Sequence, residues 1–333
     1  MRVPLLRAIG DAQRYGFAVG KVRVLQTRVF GAGTYERLLD APTFSEQLRV
    51  LSDTIYGRYL EDAETADDVE TGLEAALDDF YRFLDDASLP EAVVRFFRVR
   101  YDYANLRAVL KARALGVSTE GMVVALGTVP PDVVTGPVSG LPGFLGDIAK
   151  ALTAGPDEEP VTVEAIDAVV EAALFGDLVR SAKTAKSGAL RELATLTVDV
   201  ANARSAVRAH RRGVPAMELA GMLHPGGSIR VSDIEAWYPL PSEEFTGALA
   251  ASRALKGVSG TELASDIGLD VILDNLVARF VRRVRTVPFG PEPVIAYVMA
   301  REAEVVAVRT LLIGKLAGLD RDALRRRLRD LSV

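Results

Sequence analysis

Three stretches of the sequence repeat an acid, an amide and an arginine, side-chain types that could together perform acid–base chemistry. The stretches read YDYANLRAVLKARALGV from residue 101, VDVANARSAVRAHRRGV from residue 198 and AEVVAVRTLLIGKLAGL from residue 303. Aligned on the acid, they place an arginine five residues later and a glycine fourteen residues later. The aligned residues are Asp102, Asn105, Arg107 and Gly116, then Asp199, Asn202, Arg204 and Gly213, then Glu304, Ala307, Arg309 and Gly318.

The spacing within each copy favours a structural role over catalysis. On a helix, positions 0 and 3 share a face, whereas position 5 lies about 140° round from the acid. Asp102 and Asn105 therefore fall among the apolar residues of their helix. We expect the acids and asparagines to be buried and hydrogen-bonded to neighbouring helix ends. Three active sites in one chain would be unusual, and the third copy lacks the asparagine.

The arginines of the repeat leave the helix on another side. Arg107, Arg204 and Arg309 are therefore predicted to contact an adjacent repeat or a partner protein. The run Arg325, Arg326 and Arg327 is a second possible contact for an acidic partner, with a solvated helix face as the alternative.

Other residues that could carry chemistry are few. The chain has no cysteine and only two histidines, which excludes thiolate sites and argues against zinc. His210 lies among arginines and is predicted to face solvent, and His224 is predicted to be a loop residue. Phosphate-binding loops, nucleophile elbows and metalloprotease motifs are missing from the sequence. We therefore predict no catalytic, cofactor-binding or metal-binding residue and no cofactor.

The elements that position these residues are predicted to be helices throughout. Helical periodicity covers residues 44–60, 69–84, 90–116, 163–184, 188–211, 270–285 and 293–315. Gly116, Gly213 and Gly318 occupy the position where a left-handed residue ends a helix. A short helix is expected after each glycine, the first of them over GMVVAL (121–126). The Pro- and Gly-rich residues 127–160, together with 222–245, are predicted to be linkers or docking loops.

The distance between copies indicates domains rather than a short-period solenoid. The acids are 97 and 105 residues apart, so we predict three helical repeats over residues 1–120, 121–217 and 218–333. Such an organisation favours a scaffold over a single catalytic cleft.

The charge is uneven along the chain. Residues 53–91 have a net charge of −11 and residues 271–333 a net charge of +5, within a total of −5. This difference indicates different neighbours at the two ends, and neither end suggests nucleic acid. No apolar run approaches the length of a membrane span, so a cytosolic protein is expected.

Several segments resemble the C-type stalk protein of archaeal- and bacterial-type V/A-ATPases (ATP synthases), the family that includes the eukaryotic V-ATPase d protein. They are YDYANLRAVLKARALG (101–116), LSDTIYGRYL (51–60), the ending PVIAYVMAREAEVVAVRTLLIGKLAGLDRDALRRRL and the opening YGFAVGKVRVLQ (15–26). The resemblance runs from about Tyr15 to Leu331. Ala307 and the Pro/Gly-rich segment 127–160 depart from the pattern.

The resemblance implies an all-α funnel of three similar domains around a pseudo-threefold axis, without enzymatic activity of its own. It also implies a place in the central stalk, as a socket that passes torque between the D and F shaft proteins and the membrane rotor ring. The expected location is then the cytoplasmic face of the membrane, with membrane contact through the ring only. The isolated chain is expected to be a monomer.

Two other functions stay open on the residues alone. A helical-repeat adaptor of another complex would share the helices but not the motifs at both ends. A helical enzyme that uses scattered carboxylates would show turnover in the purified chain.

Overall fold

The computed structural model of the protein describes residues 4–153, 161–265 and 268–329. Every regular element in these ranges is a helix, so the all-α prediction is confirmed. The α-helices are α1 Pro4–Gln26, α2 Ala32–Asp40, α3 Phe44–Ser52, α4 Gly57–Leu60, α5 Ala66–Asp86, α6 Glu91–Leu115, α7 Pro131–Thr135, α8 Gly143–Ala151, α9 Val163–Thr184, α10 Gly188–Arg211, α11 Ala216–Leu219, α12 Val231–Trp237, α13 Ser242–Ala250, α14 Gly260–Ala264, α15 Leu269–Arg285, α16 Glu292–Leu316 and α17 Arg321–Arg327. Short 3-10 turns cover Val138–Gly140 and Ala220–Met222.

Contacts divide the chain into two compact units. The first unit comprises residues 1–89, 246–251 and 255–333, and the second comprises residues 90–245 and 252–254. The first unit therefore contains both the early and the late part of the sequence. The three-repeat boundaries and their threefold arrangement stay predictions.

The second unit is built on three long helices, α6, α9 and α10, with α9 packed against both of the others. Arg95 and Lys111 of α6 pair with Asp177 and Asp167 of α9, at 3.0 and 2.7 Å respectively. The pairing runs in opposite directions along the two helices, so α6 and α9 are antiparallel. The short α7 and α8 pack on α6.

The first unit is organised around α16, which packs against α1, α3, α5, α15 and α17. This helix is apolar around most of its circumference, as expected for a helix enclosed by others. Tyr297 packs edge-on against Phe80 of α5, with ring centroids 5.6 Å apart, and Arg309 bonds Glu70 of α5 at 2.8 Å. The order of these contacts makes α5 and α16 antiparallel.

The predicted helix-ending glycines have the expected geometry. Gly116, Gly213 and Gly318 have φ angles of +66°, +66° and +76°. In each case the next residue donates its N–H to a carbonyl five residues back. This is the 6→1 hydrogen bond of a Schellman turn. The same backbone device ends α6, α10 and α16.

The short helix expected after the first glycine is not formed. Residues 121–126 form turns and irregular backbone, whereas α11 and α17 do follow the second and third glycines. Gly121 has a φ of +72°, and both backbone polar groups of Val124 bond to the side chain of Asn105. These bonds replace the ones that a helix would have made.

The periodic segment 44–60 is two helices rather than one. A turn at Asp53–Tyr56 separates α3 from α4, and Thr54 donates backbone and side-chain bonds to the carbonyl of Leu51. Gly57 lies so close to this turn that a Cβ there would be 2.2 Å from the carbonyl oxygen of Ser52. Its lack of a side chain permits the break.

The segments predicted as linkers also contain helices. Residues 127–160 include α7, a 3-10 turn and α8, and residues 222–245 include α12 and the start of α13. Residues 154–160 of the first segment lie outside the described residues. Pro130 and Pro142 precede α7 and α8 as their N-caps, so these prolines start helices instead of marking loops.

We predict that Gly213→Ala lowers stability by about 1–2 kcal/mol, because alanine resists the left-handed conformation. An added Cβ would meet no atom within 4 Å, so the loss reports the backbone conformation alone. Gly20→Ala in α1 is the matched control, because Gly20 is helical and equally unobstructed. The control should be stabilised by about 1 kcal/mol. Thermal unfolding followed by circular dichroism measures both, and equal effects of the two substitutions would contradict the prediction.

Candidate functional site

Each acid of the repeat is buried beside a segment that leads directly into another helix. Asp102 accepts bonds from the backbone N–H of Thr128 at 2.7 Å and of Val129 at 2.9 Å, and from the Thr128 hydroxyl at 2.5 Å. Pro130, the N-cap of α7, follows directly. The carboxylate thus fixes the approach of the chain to α7.

The second copy repeats this geometry. Asp199 accepts from the N–H groups of Ser228 and Ile229 at 3.0 and 2.9 Å, and from the Ser228 hydroxyl at 2.7 Å. Arg230 is then the N-cap of α12. We call these carboxylate-to-backbone arrangements acid junctions.

The third junction uses a distant part of the sequence. Glu304 accepts from the backbone N–H of Phe30 at 2.6 Å and from the Tyr56 hydroxyl at 2.9 Å. Gly31, next in sequence, is the N-cap of α2. The hydrogen-bond donors to Glu304 therefore come from residues far before it in the sequence. The donors to the two aspartates come from residues that follow their helices.

Two glycines give the aspartates room. A Cβ on Gly127 would lie 2.2 Å from Oδ1 of Asp102, and a Cβ on Gly227 would lie 2.3 Å from Oδ1 of Asp199. The tripeptides Gly-Thr-Val (127–129) and Gly-Ser-Ile (227–229) are thus matching halves of the junctions. These glycines and their hydroxyl neighbours were not predicted, although the similarity of the two tripeptides is visible in the sequence.

The asparagines each hold the backbone of one later residue by a pair of hydrogen bonds. Asn105 donates to the carbonyl of Val124 at 2.8 Å and accepts from its N–H at 3.0 Å. Asn202 makes the same pair of bonds to His224, both at 2.8 Å. Ala307 of the third copy instead lines a cavity of about 240 Å³.

All five predicted acids and amides of the motif are buried. Their relative exposures are at most 2%, for Asp102, Asn105, Asp199, Asn202 and Glu304. Burial raises the pKa of Asp102, although the bonds from Thr128 and Val129 oppose the rise.

A larger polar cluster surrounds Glu304. Burial raises the pKa of its carboxyl group, opposed by the nearby Arg301 guanidinium, which forms an ion pair with it. Arg301 also lies 5.3 Å from the ring centroid of Tyr56. Burial, followed by the charge of Glu304, raises the pKa of Tyr56. Tyr56 therefore remains a neutral hydrogen-bond donor to the carboxylate.

The arginines predicted as interface residues lie in different settings. Arg107 is 4.0 Å from Asp167 of α9, and Arg309 bonds Glu70 of α5. Arg204 is half-buried on α10. Arg325 pairs with Glu36 of α2, and Arg326 and Arg327 are exposed. Arg107 and Arg309 thus each contact an acid on a neighbouring helix of the same unit. A partner-binding role for any of these arginines stays a prediction.

The histidines are not arranged for catalysis. His210 is half-buried, stacks on Phe245 with ring centroids 4.6 Å apart and lies 3.0 Å from the carbonyl oxygen of Leu240. The prediction that it faces solvent is therefore wrong, because the aromatic side chain of α13 covers it. His224 is a buried loop residue against Phe175.

Metal-binding and membrane-spanning features are not found in the described ranges. No group of three or more His, Asp or Glu side chains there could hold a metal ion. None of the helices in those ranges is long and apolar enough to cross a bilayer.

Comparison with known proteins identifies the family. Residues 18–327 match the ATP synthase (C/AC39) subunit family. The chain belongs to this family. The match takes in all three acid junctions, from Phe30 to Glu304.

Curated relatives of this C/AC39 chain cover nearly its whole length. It is 25% identical to the C subunit of the A-type ATP synthase of Desulfurococcus sp. (strain SY), over 92% of this chain and 88% of the relative. It is 28% identical to the C subunit of the V-type ATP synthase of Thermus thermophilus, over 93% and 97%. It is 22% identical to the C subunit of the V-type sodium ATPase of Enterococcus hirae, over 92% and 96%.

We predict that Asp199→Ala destabilises the protein, because it leaves the buried N–H group of Ile229 and the part-buried N–H group of Ser228 without their acceptor. A buried N–H group without an acceptor costs about 1–3 kcal/mol. Asp86→Ala is the control, because Asp86 is exposed near the end of α5 and should change stability by no more than about 0.5 kcal/mol. Equal unfolding midpoints for Asp199→Ala and wild type in urea would show that the junction contributes nothing.

The raised pKa of Glu304 predicts a pH dependence that Glu304→Gln removes. Between the ordinary value of 4.5 and the raised value, the folded protein binds more protons than the unfolded chain. Wild-type stability should therefore fall relative to Glu304→Gln as pH rises through this interval. Urea unfolding of both proteins across that pH range tests the sign. A difference that stays constant or grows in favour of wild type would contradict it.

Proposed function

We propose that this chain is a non-catalytic component of the central stalk of a rotary V/A-type ATPase. In this role it connects the D and F shaft proteins of the soluble ATPase sector to the rotor ring in the membrane, and it passes torque between them. It would lie at the cytoplasmic face of the membrane and contact the membrane only through the ring. The family match over residues 18–327 is the observation that carries the proposal.

The acid junctions support a mechanical role. A coupling that transmits torque must resist deformation. Each junction ties the approach to a shorter helix to the middle of a long one through charge-assisted hydrogen bonds to a buried carboxylate. Asp102 and Asp199 act within the second unit, and Glu304 acts within the first. Such ties limit sliding between the helices that they join.

The three-repeat arrangement belongs to the same proposal. Three helical domains around a pseudo-threefold axis would enclose a central opening for the shaft and leave an opposite end for the ring. The recurrence of the junction at Asp102, Asp199 and Glu304 supports three equivalent units. The N-terminal segment would then complete the third repeat through Phe30.

A helical adaptor of another complex is the second possibility. It would use the same helices, but nothing in the geometry favours it over the family's own role. An adaptor of another complex would leave ATP-driven ion uptake unchanged when it is removed, whereas a stalk component would not.

We predict that removing the chain from membranes of its source organism uncouples the ATPase. ATP hydrolysis by the soluble sector should persist, whereas ATP-driven ion uptake into inverted vesicles should be lost. Purified wild-type chain should restore uptake, and the chain alone should hydrolyse no ATP. Undiminished uptake without the chain, or turnover by the chain that survives further purification, would overturn the proposal.

A further inference from the structure

The outward face of α1 alternates cations with large apolar residues. Arg14, Lys21 and Arg28 are seven residues apart, and Phe17 and Val24 lie between them with the same spacing. The four of these residues that lie within α1 fall in an arc of about 80° around the helix axis. Arg28 continues the series in the hydrogen-bonded turn directly after the helix. We call these five residues the basic face.

The basic face lies on the side of α1 that points away from the first unit. From residue 14 onward, the buried residues of α1 are Tyr15, Ala18, Val19 and Val22, and they occupy the opposite side of the helix. Phe17 and Val24 are instead 60% and 62% exposed. Large apolar side chains that line up at helical spacing in water indicate a contact surface rather than scattered exposure.

The cations of the basic face have no carboxylate partners among the described side chains. Residues 12–35 contain no acid at all. Lys21 lies over the ring of Phe17, with its Nζ 4.6 Å from the ring centroid. Arg14 and Arg28 form no ion pair with any acid in the described ranges. Carboxylates at the same spacing on a partner would complement all three charges.

Arg23 shows the contrast with a cation that the first unit uses internally. It donates to the carbonyl oxygens of Arg285 and Val287, at 3.1 and 2.7 Å, and so satisfies acceptors at the end of α15. The cations of the basic face make no comparable bond within the described part of the chain. Their regular spacing is therefore not explained by contacts inside the unit.

Two glycines border the basic face. Gly16 and Gly20 are helical and exposed, and a Cβ on either residue would meet no atom within 4 Å. Glycine weakens the interior of a helix, and packing within the described chain gives no reason for it at these positions. The missing side chains leave room beside Phe17 and Val24 for the backbone of a second helix to approach closely.

We propose that the basic face docks a helix of a partner protein that carries carboxylates at seven-residue intervals. The inference rests on the proposed function and adds the chemistry of one partner in the same complex. A helix is favoured because residues that repeat every seven positions in one narrow line form the seam between paired helices. Apolar residues between the partner's carboxylates would cover Phe17 and Val24.

Other occupants fit the basic face less well. A symmetric pair of two copies of this chain would place Arg14 and Lys21 against their own equivalents, and like charges repel. A helix that lies on an anionic membrane buries a broad apolar face. The basic face has only the single line of Phe17 and Val24, which suits a narrow helical partner.

Charge reversal tests the cations of the basic face. The variant carries Arg14→Glu and Lys21→Glu. The control carries Arg37→Glu and Arg49→Glu, which change the net charge equally at exposed positions of α2 and α3. Each chain is added to ATPase membranes stripped of the native chain, and binding and ATP-driven ion uptake are measured. We expect binding of the variant to weaken at least tenfold and that of the control to stay within twofold of wild type.

A glycine substitution tests the close approach of a second helix. Gly20→Gln should fold at least as stably as wild type, because glutamine favours a helix more than glycine does, but it should bind at least tenfold more weakly. Gly33→Gln is the matched control, because Gly33 of α2 is also helical, exposed and unobstructed. Equal binding of these two variants would overturn the assignment of a closely packed helix.

The outcomes separate the two proposals. If wild type itself neither binds nor restores uptake, the proposed function fails. If wild type restores uptake and the charge-reversed variant binds as well as its control does, the basic face is not the docking surface. Circular dichroism of each variant establishes that the fold is intact before the comparison is made.

Crosslinking identifies what covers the basic face. The chain has no cysteine, so Val24→Cys introduces a single thiol for a photoreactive label. Illumination of the reassembled complex, followed by mass spectrometry, should recover a partner peptide with Asp or Glu at seven-residue spacing. Recovery of labelled lipid alone, of a second copy of this chain, or of no adduct would overturn the proposal.

Discussion

A carboxylate that leaves water must find hydrogen-bond donors in the protein, and this requirement organises the helix junctions of the molecule. The chain that leads into a helix also has N–H groups to satisfy. Asp199 accepts bonds from the N–H groups of Ser228 and Ile229, which lie directly before the N-cap of α12. The buried carboxylate therefore gains its donors and fixes the path of the chain into the helix.

The third junction extends this dependence across the sequence. Glu304 bonds Phe30 and Tyr56, which are 274 and 248 residues away. Closing so long a loop costs conformational entropy before any contact is gained, and contacts of this separation form slowly during folding. The first unit therefore requires both the early and the late segments of the chain, because the buried Glu304 of α16 accepts its hydrogen bonds from Phe30 and Tyr56.

The repeat and the helical periodicity allowed much of the fold to be predicted. The bounds of α9 and α10 follow from apolar spacing, and the left-handed glycines follow from their place after the last apolar residue. The burial of the acids also follows, because the helical face they share is apolar. These features depend on local sequence, which is why a single sequence reveals them.

The partners of the acids could not be predicted in the same way. The link from Glu304 to Phe30 depends on tertiary packing, and no local pattern marks it. Gly127 and Gly227 were visible as parts of similar tripeptides, but their purpose depends on the approach of a carboxylate. The covering of His210 by Phe245 likewise joins elements that are distant in sequence. A local sequence pattern therefore indicates which polar groups need partners, whereas the identity of those partners depends on tertiary packing.

The asparagines show what the amide of the repeat does. Asn105 satisfies Val124 in a stretch that forms no helix, and Asn202 satisfies His224 just beyond a 3-10 turn. Both partners lie outside a helix, so the amide side chain supplies the two bonds that a helix would otherwise supply. After Gly318 the chain forms α17, whose N-cap is Asp320, and Ala307 has no side chain that could make such a pair of bonds. The amide at position 3 of the repeat thus accompanies irregular backbone in the two copies that carry it.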